Sequence, residues 1–252
     1  MTSLRARVLA KKPLLGVFLS EPSATMGEVL AQVGFDFLVL DTEHGTWDAP
    51  GVAAVIRAAD AAAIPAIVRV PSCHAQAETG RALDAGAAGT LFPRADGAAA
   101  VRAALESAKY APVGRRGLAG VRANRYAAVP LDHWVLEANE NTAVIVQIET
   151  AGALNAADDI ASEKWVDVLF VGPNDLSQAL GVPGHYDDPR YVAGVERVAQ
   201  VAAGHGKAAG IMLRSADQIP DLQKVGYSVF TTSDRTLLVQ SAKAWRGALP
   251  SG

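Results

Sequence analysis

The sequence predicts a single-domain α/β protein with the (β/α)8, or TIM-barrel, architecture, and three observations support this prediction. The chain has 252 residues, which is the usual size of such a barrel. Eight short apolar runs with strand character recur along it, and Ala-rich segments with helical periodicity separate most of them. The runs are continuously apolar rather than alternating, as expected of parallel strands covered by helices.

The eight predicted strands are, in order, LLGVFLS, DFLVLD, PAIVRV, AGTLFP, AVIVQIE, DVLFVG, KAAGIML and YSVFTT. Alanine-rich periodicity predicts helices in GVAAVIRAADAA, after the second strand, and in DGAAAVRAALESAKY, after the fourth. A doubly wound open sheet is the alternative fold. The segment after the first strand, SEPSATMGE, lacks the GxGxxG phosphate loop that this alternative usually carries, so the barrel is preferred.

One connection is unusually long. Residues 110–141 contain glycine, arginine, asparagine and aromatic residues with little strand character. Long connections in compact domains are more often functional than neutral, so a lid between the fourth and fifth strands is expected here.

Composition narrows the range of partners. Hydrophobic residues make up 50% of the chain and the formal net charge is −3, with the basic residues scattered. This pattern offers no footprint for nucleic acid or an anionic membrane, and no apolar run is long enough to span a bilayer. A small molecule is therefore the expected partner.

The cellular compartment is inferred from two local features. Cys73 is the single cysteine, which excludes an internal disulfide, fits a reducing compartment and makes a weak nucleophile candidate. The N-terminal segment RARVLAKKPLLGVFLS resembles a signal peptide, but its apolar run is short and no cleavage pattern follows. A cytoplasmic protein is expected.

Charged residues gather where the predicted strands end. In this fold the chemistry belongs to the C-terminal ends of the strands, and buried charges there need partners or a cation. The residues at those ends are Asp41, Glu43, His44, Arg69, Arg94, Glu149 and Asp175.

Glu149 and Asp175 are the candidate metal ligands, because each follows a buried strand directly. Two carboxylates, with water or substrate in the remaining positions, suit Mg²⁺ or Mn²⁺ better than zinc. The alternative is helix capping, which NDLS favours for Asp175, whereas Thr150 is a better cap than Glu149.

Two further residues have candidate catalytic roles. His44, in DTEHG, is able to exchange protons near neutral pH, although a lone histidine in a loop is usually only solvated. Arg69 lies among apolar residues, which predicts either a pair with an acid across the barrel or stabilisation of negative charge on a substrate oxygen.

With these residues identified, the chain resembles the class II, metal-dependent pyruvate aldolases of the 4-hydroxy-2-oxoheptanedioate aldolase family over almost its whole length. The matching segments are GFDFLVLDTEHG, AIVRVPS, LDAGAAGTLFPRA, YAPVGRRGLAG, VQIET and VGPNDLSQALG.

The resemblance implies that residues 1–252 form one (β/α)8 aldolase domain that cleaves 4-hydroxy-2-oxo acids to pyruvate and an aldehyde. Glu149 and Asp175 would bind Mg²⁺, Mn²⁺ or Co²⁺, which pyruvate chelates. His44 would transfer protons, with Asp84 orienting it, and Arg69 would stabilise the enolate. The expected substrate-binding residues are Arg69, Gln147, Gly172, Pro173, Asn174, Asp175, Met212 and Leu213. Family members form trimers or hexamers by exchanging C-terminal helices, so a homo-oligomer is expected.

The resemblance does not identify the aldehyde. Its expected contacts are Arg122, Asn124 and Tyr126 in the long connection and Met212, Leu213 and Arg214 after the seventh strand, although the arginines have an equally good surface interpretation. Phe18 and Trp47 either line the pocket or pack the barrel rim.

Other functions remain open at this point. A Schiff-base mechanism is disfavoured, because Lys164 and Lys207 precede their strands and would lie at the wrong end of the barrel. A lyase acting on an acyl-CoA ester or a dicarboxylate and a non-catalytic barrel that binds an oxo acid are the two alternatives.

Overall fold

The computed structural model describes residues 2–249 and confirms the predicted (β/α)8 barrel. Eight parallel strands close in sequential order, with β1 paired to both β2 and β8. The strands are β1 (Leu14–Leu19), β2 (Phe37–Asp41), β3 (Ala66–Arg69), β4 (Gly89–Phe92), β5 (Ala143–Ile148), β6 (Val168–Val171), β7 (Ala208–Met212) and β8 (Tyr227–Ser233).

The helices within residues 2–249 surround this barrel. They are α1 (Leu4–Leu9), α2 (Ala24–Val33), α3 (Ala49–Ala61), α4 (Gln76–Ala85), α5 (Ala98–Ala108), α6 (Leu131–Asn141), α7 (Ala151–Asn155), α8 (Ala157–Ser162), α9 (Pro173–Ala179), α10 (Pro189–Gly204), α11 (Ile219–Val225) and α12 (Asp234–Gly247). The two helices predicted from alanine periodicity correspond to α3 and α5. None of these helices has both the length and the apolar character needed to cross a membrane.

Two apolar layers hold the barrel together. Side chains such as Phe37, Ile67 and Phe170 fill its interior, and a larger layer lies between the strands and the surrounding helices. Leu4 and Val8 of α1 belong to the interior layer, so α1 closes the N-terminal end of the barrel. The C-terminal end stays open for polar side chains.

The prediction of a lid between the fourth and fifth strands is wrong. Residues 110–141 contain a 3-10 turn (Arg122–Asn124) and α6, and they pack at the N-terminal end of the barrel. Arg122 pairs with Asp60 at 2.7 Å and donates to the carbonyl of Ala85 at 2.9 Å, near the ends of α3 and α4. A connection that follows a helix and precedes a strand lies opposite the active end, because strand and helix run in opposite directions.

A lysine is completely buried where this connection begins. Lys109 Nζ donates to the carbonyls of Asn139 at 2.6 Å and Thr142 at 2.7 Å and lies 4.9 Å from the ring centre of Trp165. Burial lowers the pKa of Lys109 to about 8, against the opposing charge of Asp167. The site therefore holds the lysine by hydrogen bonds while disfavouring its charge.

We expect Lys109 to make the free energy of unfolding rise between pH 8 and 10. In that range the unfolded chain keeps the lysine proton, with its ordinary pKa of 10.5, whereas the folded protein releases it. This contribution is lost as the pH falls through 8, and it amounts to about 2 kcal/mol between pH 8 and 9.5. Urea unfolding at pH 7.5 and 9.5 should show wild type gaining stability relative to Lys109→Met. Parallel pH profiles would contradict the expectation.

Candidate active site

Arg69 and two carboxylates form a buried ionic cluster at the C-terminal end of the barrel. Arg69 and Asp41 are register partners on adjacent strands. The guanidinium donates from Nε to Asp41 Oδ1 at 2.8 Å and from Nη2 to Oδ2 at 2.6 Å. Its Nη1 lies 3.2 Å from Glu43 Oε2. A fork of two parallel hydrogen bonds fixes the plane of the guanidinium, so Arg69 is held in one orientation.

Phe18 supports this cluster from below. Its ring centre lies 5.0 Å from the Arg69 guanidinium carbon, and the side chain is buried in the barrel interior. Of the two alternatives for Phe18, lining the pocket or packing the rim, the structure therefore favours packing beneath Arg69.

The two carboxylates of the cluster have different protonation tendencies. Burial acts to raise the pKa of Asp41, but the hydrogen bonds and charge of Arg69 outweigh it, so this pKa lies below its ordinary value. Burial raises the pKa of Glu43, and the charges of Asp41 and Asp175 add to the effect. Asp41 therefore remains ionised as the partner of Arg69, whereas for Glu43 the charge of Arg69 only partly offsets the effect of burial on the pKa.

Glu149 directly follows β5 and is 3% exposed. Its Oε1 accepts the backbone N–H of Arg94 at 2.8 Å, and its Oε2 accepts the side-chain amide of Gln147. Arg94 holds a left-handed backbone conformation, with φ of 48°. Burial raises the pKa of Glu149 to about 7, and the charges of Glu43 and Asp175 contribute. Glu149 is thus a buried acid without a cationic partner among residues 2–249.

Asp175 lies in the first turn of α9, directly above the end of β6. Within the described part of the chain its carboxylate caps no backbone N–H, which argues against the capping alternative. Thr150, as expected, is the cap that begins α7, accepting the N–H of Ala153 at 2.9 Å. Neither Glu149 nor Asp175 therefore acts as a helix cap.

Gly172 makes the close approach of β6 to Glu149 possible. A Cβ at this position would lie 2.5 Å from Glu149 Oε2 and 2.6 Å from Gln147 Nε2. Both atoms lie at the ends of flexible side chains. A larger residue at position 172 would therefore displace the Glu149 carboxylate rather than unfold the barrel.

We expect Gly172→Ala to lower kcat by about 10- to 100-fold while the fold is kept, because small displacements of reacting groups have effects of this size. Steady-state kinetics and circular dichroism together test this. The matched control is Gly80→Ala in α4, where no heavy atom lies within 4 Å of the added Cβ. Equal activity of the Gly172 variant and the control would mean that the carboxylate does not depend on this close approach.

His44 lies beside Glu43 rather than beside Asp84. Its Nε2 is 3.7 Å from Glu43 Oε2, and its side chain is 65% exposed. Asp84 pairs instead with Arg116 at 2.6 Å, near the end of α4. The expected contact of Asp84 with His44 is absent from residues 2–249, because α4 runs away from the mouth and carries Asp84 toward the opposite end.

The expected substrate-binding residues divide by the direction of their side chains. Met212 packs against the interior of the barrel, whereas Leu213 belongs to the outer apolar layer and cannot line the mouth with its side chain. Neighbouring strand residues point to opposite faces, so only one of the two faces inward. Gln147 lies inside the barrel, and its Oε1 is buried without a hydrogen-bond partner among the described residues.

The residues expected to contact the aldehyde are mostly elsewhere. Arg122 lies at the N-terminal end, and Asn124 is fully buried, accepting the N–H groups of Val121 and Ala127. Tyr126 is exposed on the same connection. Trp47 packs against the outer apolar layer. Unlike Arg122, Asn124 and Tyr126, Arg214 lies at the C-terminal end of the barrel, two residues beyond β7.

Cys73 is buried, and its thiol donates to the carbonyl of Pro93 at 2.9 Å. Burial raises the pKa of Cys73 to about 12, and the charge of Glu149 adds to the effect. A thiol with this pKa is a poor nucleophile, so the weak nucleophile hypothesis loses its support.

The roles of Asp41 and Glu43 were missed by sequence reasoning, which noted their positions and assigned them none. The expected acid partner of Arg69 is on the adjacent strand rather than across the barrel. The signal was available in DTEH, because residues at equivalent ends of consecutive parallel strands become register neighbours.

Comparison with known proteins identifies the family of this chain. The profile of the HpcH/HpaI aldolase/citrate lyase family matches residues 14–230. The hydroxypyruvate/pyruvate aldolase of Paraburkholderia phytofirmans is 39% identical over 215 residues, covering 82% of this chain and 82% of the relative. The 4-hydroxy-2-oxovalerate aldolase of Novosphingobium aromaticivorans is 36% identical over 216 residues, covering 85% of this chain and 81% of the relative.

A solved structure gives the same result at the level of the fold. The HpcH/HpaI aldolase/citrate lyase family protein of Burkholderia cenocepacia J2315 superimposes with a TM-score of 0.91 at 33% identity, covering 98% of each chain. The matched family region includes the C-terminal ends of β1 to β7, and with them every residue of the charged cluster, and it stops within β8. This chain is a carbon–carbon lyase and belongs to the HpcH/HpaI aldolase/citrate lyase family.

Proposed function

We propose that this protein reversibly cleaves 4-hydroxy-2-oxo acids into pyruvate and an aldehyde. The observation that carries the proposal is the Arg69 guanidinium, held by Asp41 at the barrel mouth within electrostatic range of Glu149. Breaking the bond between C3 and C4 needs a group that takes the hydroxyl proton and positive charge that stabilises the resulting enolate. The names of the two aldolase relatives support this choice of substrate.

We infer that Glu149 and Asp175 hold a divalent cation, namely Mg²⁺, Mn²⁺ or Co²⁺. The donor set fits, because hard carboxylate oxygens suit these ions and burial together with the charges of Glu43 and Asp175 disfavours a bare Glu149 carboxylate. Among residues 2–249 no three acidic, histidine or cysteine side chains form a ready metal site, so water and substrate would complete the coordination. The bound cation would supply a Lewis acid that polarises the keto group.

The protein's own residues account for the movement of charge and protons. As the C3–C4 bond breaks, its electron pair moves toward C2, and Arg69 offsets the negative charge that develops on the keto oxygen. His44 takes the proton of the 4-hydroxyl group, directly or through water, and later returns a proton to C3. Glu43, 3.7 Å from His44 Nε2, stabilises the imidazolium and replaces Asp84 in this proposal.

The pocket for pyruvate is proposed to lie between the ends of β5 and β6. Gln147 Oε1 is a buried acceptor without a partner among the described residues, and Gly172 leaves room beside Glu149. Beyond Gly172 and Pro173, the backbone N–H groups of Asn174 and Asp175 in the first turn of α9 are donors for the substrate carboxylate, and Met212 forms the apolar wall. Leu213 is left out because its side chain faces the helices.

The experiment that tests this function is exchange of the pyruvate methyl protons with deuterated water, followed by NMR. Protein stripped of metal is compared with the same protein resupplied with Mg²⁺, Mn²⁺ or Co²⁺. Exchange that requires metal supports enolate formation at this site. Absence of exchange with every metal would leave a non-catalytic barrel or a lyase for another substrate.

We further propose that the protein is a homo-oligomer, a trimer or hexamer that exchanges α12. This helix exposes Leu238 by 68% and Trp245 by 79%, and α2 exposes Val29 by 50% and Val33 by 70%. Such apolar area on single helices suits burial against a second copy of the chain. Light scattering coupled to gel filtration should give a multiple of 26.2 kDa, and Leu238→Asp with Trp245→Asp should reduce it. A monomeric wild type would contradict the proposal.

A further inference from the structure

Three side chains connect the ends of β6 and β7 at the rim of the barrel mouth. The hydroxyl of Tyr186 donates to Oδ1 of Asn174 at 2.6 Å. The guanidinium carbon of Arg214, two residues beyond β7, lies 3.9 Å from the ring centre of Tyr186. Asn174 directly precedes the candidate metal ligand Asp175. The cluster thus adjoins the candidate site but contains none of its charged residues.

The loop that carries Tyr186 is tied to α9. Ser177, which is fully buried, accepts the N–H of Gly184 at 3.1 Å and donates to the carbonyl of Asn174 at 2.8 Å. The ring of Tyr186 also packs edge-on against Tyr191 of α10, with ring centres 5.3 Å apart. Tyr186 is therefore held from its hydroxyl, from one face and from its edge.

These contacts orient the amide of Asn174. Its oxygen is occupied by the Tyr186 hydroxyl, so both hydrogens of Nδ2 remain available to a ligand. Arg214 has no carboxylate partner within residues 2–249, and the side chains of both Asn174 and Arg214 are exposed. The rim between β6 and β7 therefore offers hydrogen-bond donors and positive charge.

The position of these donors selects the part of the substrate that reaches them. Pro173 is buried next to the proposed pyruvate pocket, whereas Asn174 is exposed one residue further out. The portion of a 4-hydroxy-2-oxo acid that extends from the pyruvate unit toward solvent is the portion released as the aldehyde. The side-chain amide of Asn174 would accordingly recognise the aldehyde, whereas its backbone N–H is left for the carboxylate of the pyruvate unit.

We propose that Asn174 is a specificity-determining residue that binds an oxygen substituent of the aldehyde, either a hydroxyl or a carboxylate, and that Tyr186 is the positioning residue that orients it. This inference rests on the proposed aldolase function and identifies the substrate class within it. Arg214 holds the Tyr186 ring and adds attraction for a carboxylate.

The test measures condensation of pyruvate with three aldehydes by the metal-loaded protein. Glycolaldehyde carries a hydroxyl group, glyoxylate carries a carboxylate, and propionaldehyde carries neither. Tyr186→Phe keeps the ring and removes the donor, and we expect it to raise KM for the oxygen-bearing aldehyde about three- to tenfold, the effect of one hydrogen bond. The kcat values, the KM for pyruvate and the kinetics with propionaldehyde should stay within about twofold, as expected when only this hydrogen bond is lost.

Two further variants establish that Tyr186 acts through Asn174. Asn174→Ala should raise the same KM at least as much, and adding Tyr186→Phe to it should have no further effect. Tyr191→Phe is the matched control, because its hydroxyl makes no hydrogen bond to Asn174. Arg214→Gln distinguishes the two substituents, since it should weaken glyoxylate alone if the carboxylate is the group bound.

A loss confined to glycolaldehyde or glyoxylate supports the proposal and names the substituent. Equal losses for all three aldehydes, or no loss for any, would overturn it. Pyruvate proton exchange in each variant separates this inference from the function itself. If the wild type exchanges pyruvate protons but the variants affect all three aldehydes alike, the inference about Asn174 is wrong and the proposed function stands. If the wild type shows no exchange, both are wrong.

Discussion

Glu149→Gln is expected to abolish tight metal binding and to lower turnover by at least about 10³-fold, a loss typical of removing a group that stabilises developing charge. The barrel should stay folded, because glutamine has the same shape and keeps an oxygen to accept the N–H of Arg94. Rotation of the Gln147 amide, whose oxygen is free, restores the contact on the other side.

Without metal, the Glu149→Gln protein should be more stable than wild type at pH 8. The raised pKa of Glu149, about 7, means that folding disfavours its ionised form, and the unfolded value is near 4.5. The metal-free wild type therefore loses stability as the pH rises from 4.5 to 7, by up to about 3 kcal/mol. The variant escapes this loss, so the difference should disappear toward pH 4.5.

Thermal unfolding with and without Mn²⁺ measures both effects. Metal should raise the Tm of wild type and leave that of the variant unchanged, because a ligand that binds only the folded state stabilises it. Asp175→Asn should behave alike toward metal. Glu106→Gln, which changes an exposed partner of Arg115, is the matched control and should respond to metal as wild type does. A metal-dependent Tm in Glu149→Gln would show that the metal site is misassigned.

Arg69→Lys is expected to lower kcat by about 10²- to 10³-fold while metal binding persists, because one directed donor to the developing oxyanion is lost. Lysine keeps the positive charge but cannot form the fork to Asp41 or reach Glu43 at the same time. The slow step should be enolate formation, so pyruvate proton exchange should fall in parallel with turnover.

A comparison of Arg69→Lys with Arg69→Ala also tests the buried ion pair between Arg69 and Asp41. Asp41 is 6% exposed, and a carboxylate buried without its partner destabilises the fold by about 3–5 kcal/mol. Arg69→Ala should therefore unfold at lower urea concentration than Arg69→Lys. Arg81→Lys, at an exposed pair with Glu78 on α4, is the control and should change neither activity nor stability. Normal proton exchange in Arg69→Lys would remove the arginine from the proposed mechanism.

The strands, their order and the acidic strand ends could be predicted because they depend on local pattern. A run such as AVIVQIE is apolar at every position, and this alone indicates a strand buried on both faces that ends at Glu149. The same reasoning placed Thr150 as the cap of the next helix. Each of these inferences needs only residues close together in the chain.

The partners of the charged residues could not be predicted in this way. Asp84 lies in LDAGAAG, a segment whose resemblance to the aldolases implied a contact with His44, yet α4 places Asp84 beside Arg116. The connection from residue 110 to 141 has the composition of a lid, yet the preceding helix delivers it to the end opposite the mouth. In both cases the direction of a helix, and not the residue type, decides the contact.

The sequence by itself determined the (β/α)8 barrel and the candidate acids and base at its mouth, because periodicity and strand-end chemistry are local properties of the chain. The family was indicated separately, by the resemblance of its motifs to those of known aldolases. Only the tertiary structure decided that Asp41 accepts two hydrogen bonds from Arg69 and that Glu43 lies beside His44. It also decided that Leu213 faces outward and that Tyr186 orients Asn174. These contacts join different strands and loops, and they depend on register, side-chain direction and packing that form only when the barrel closes.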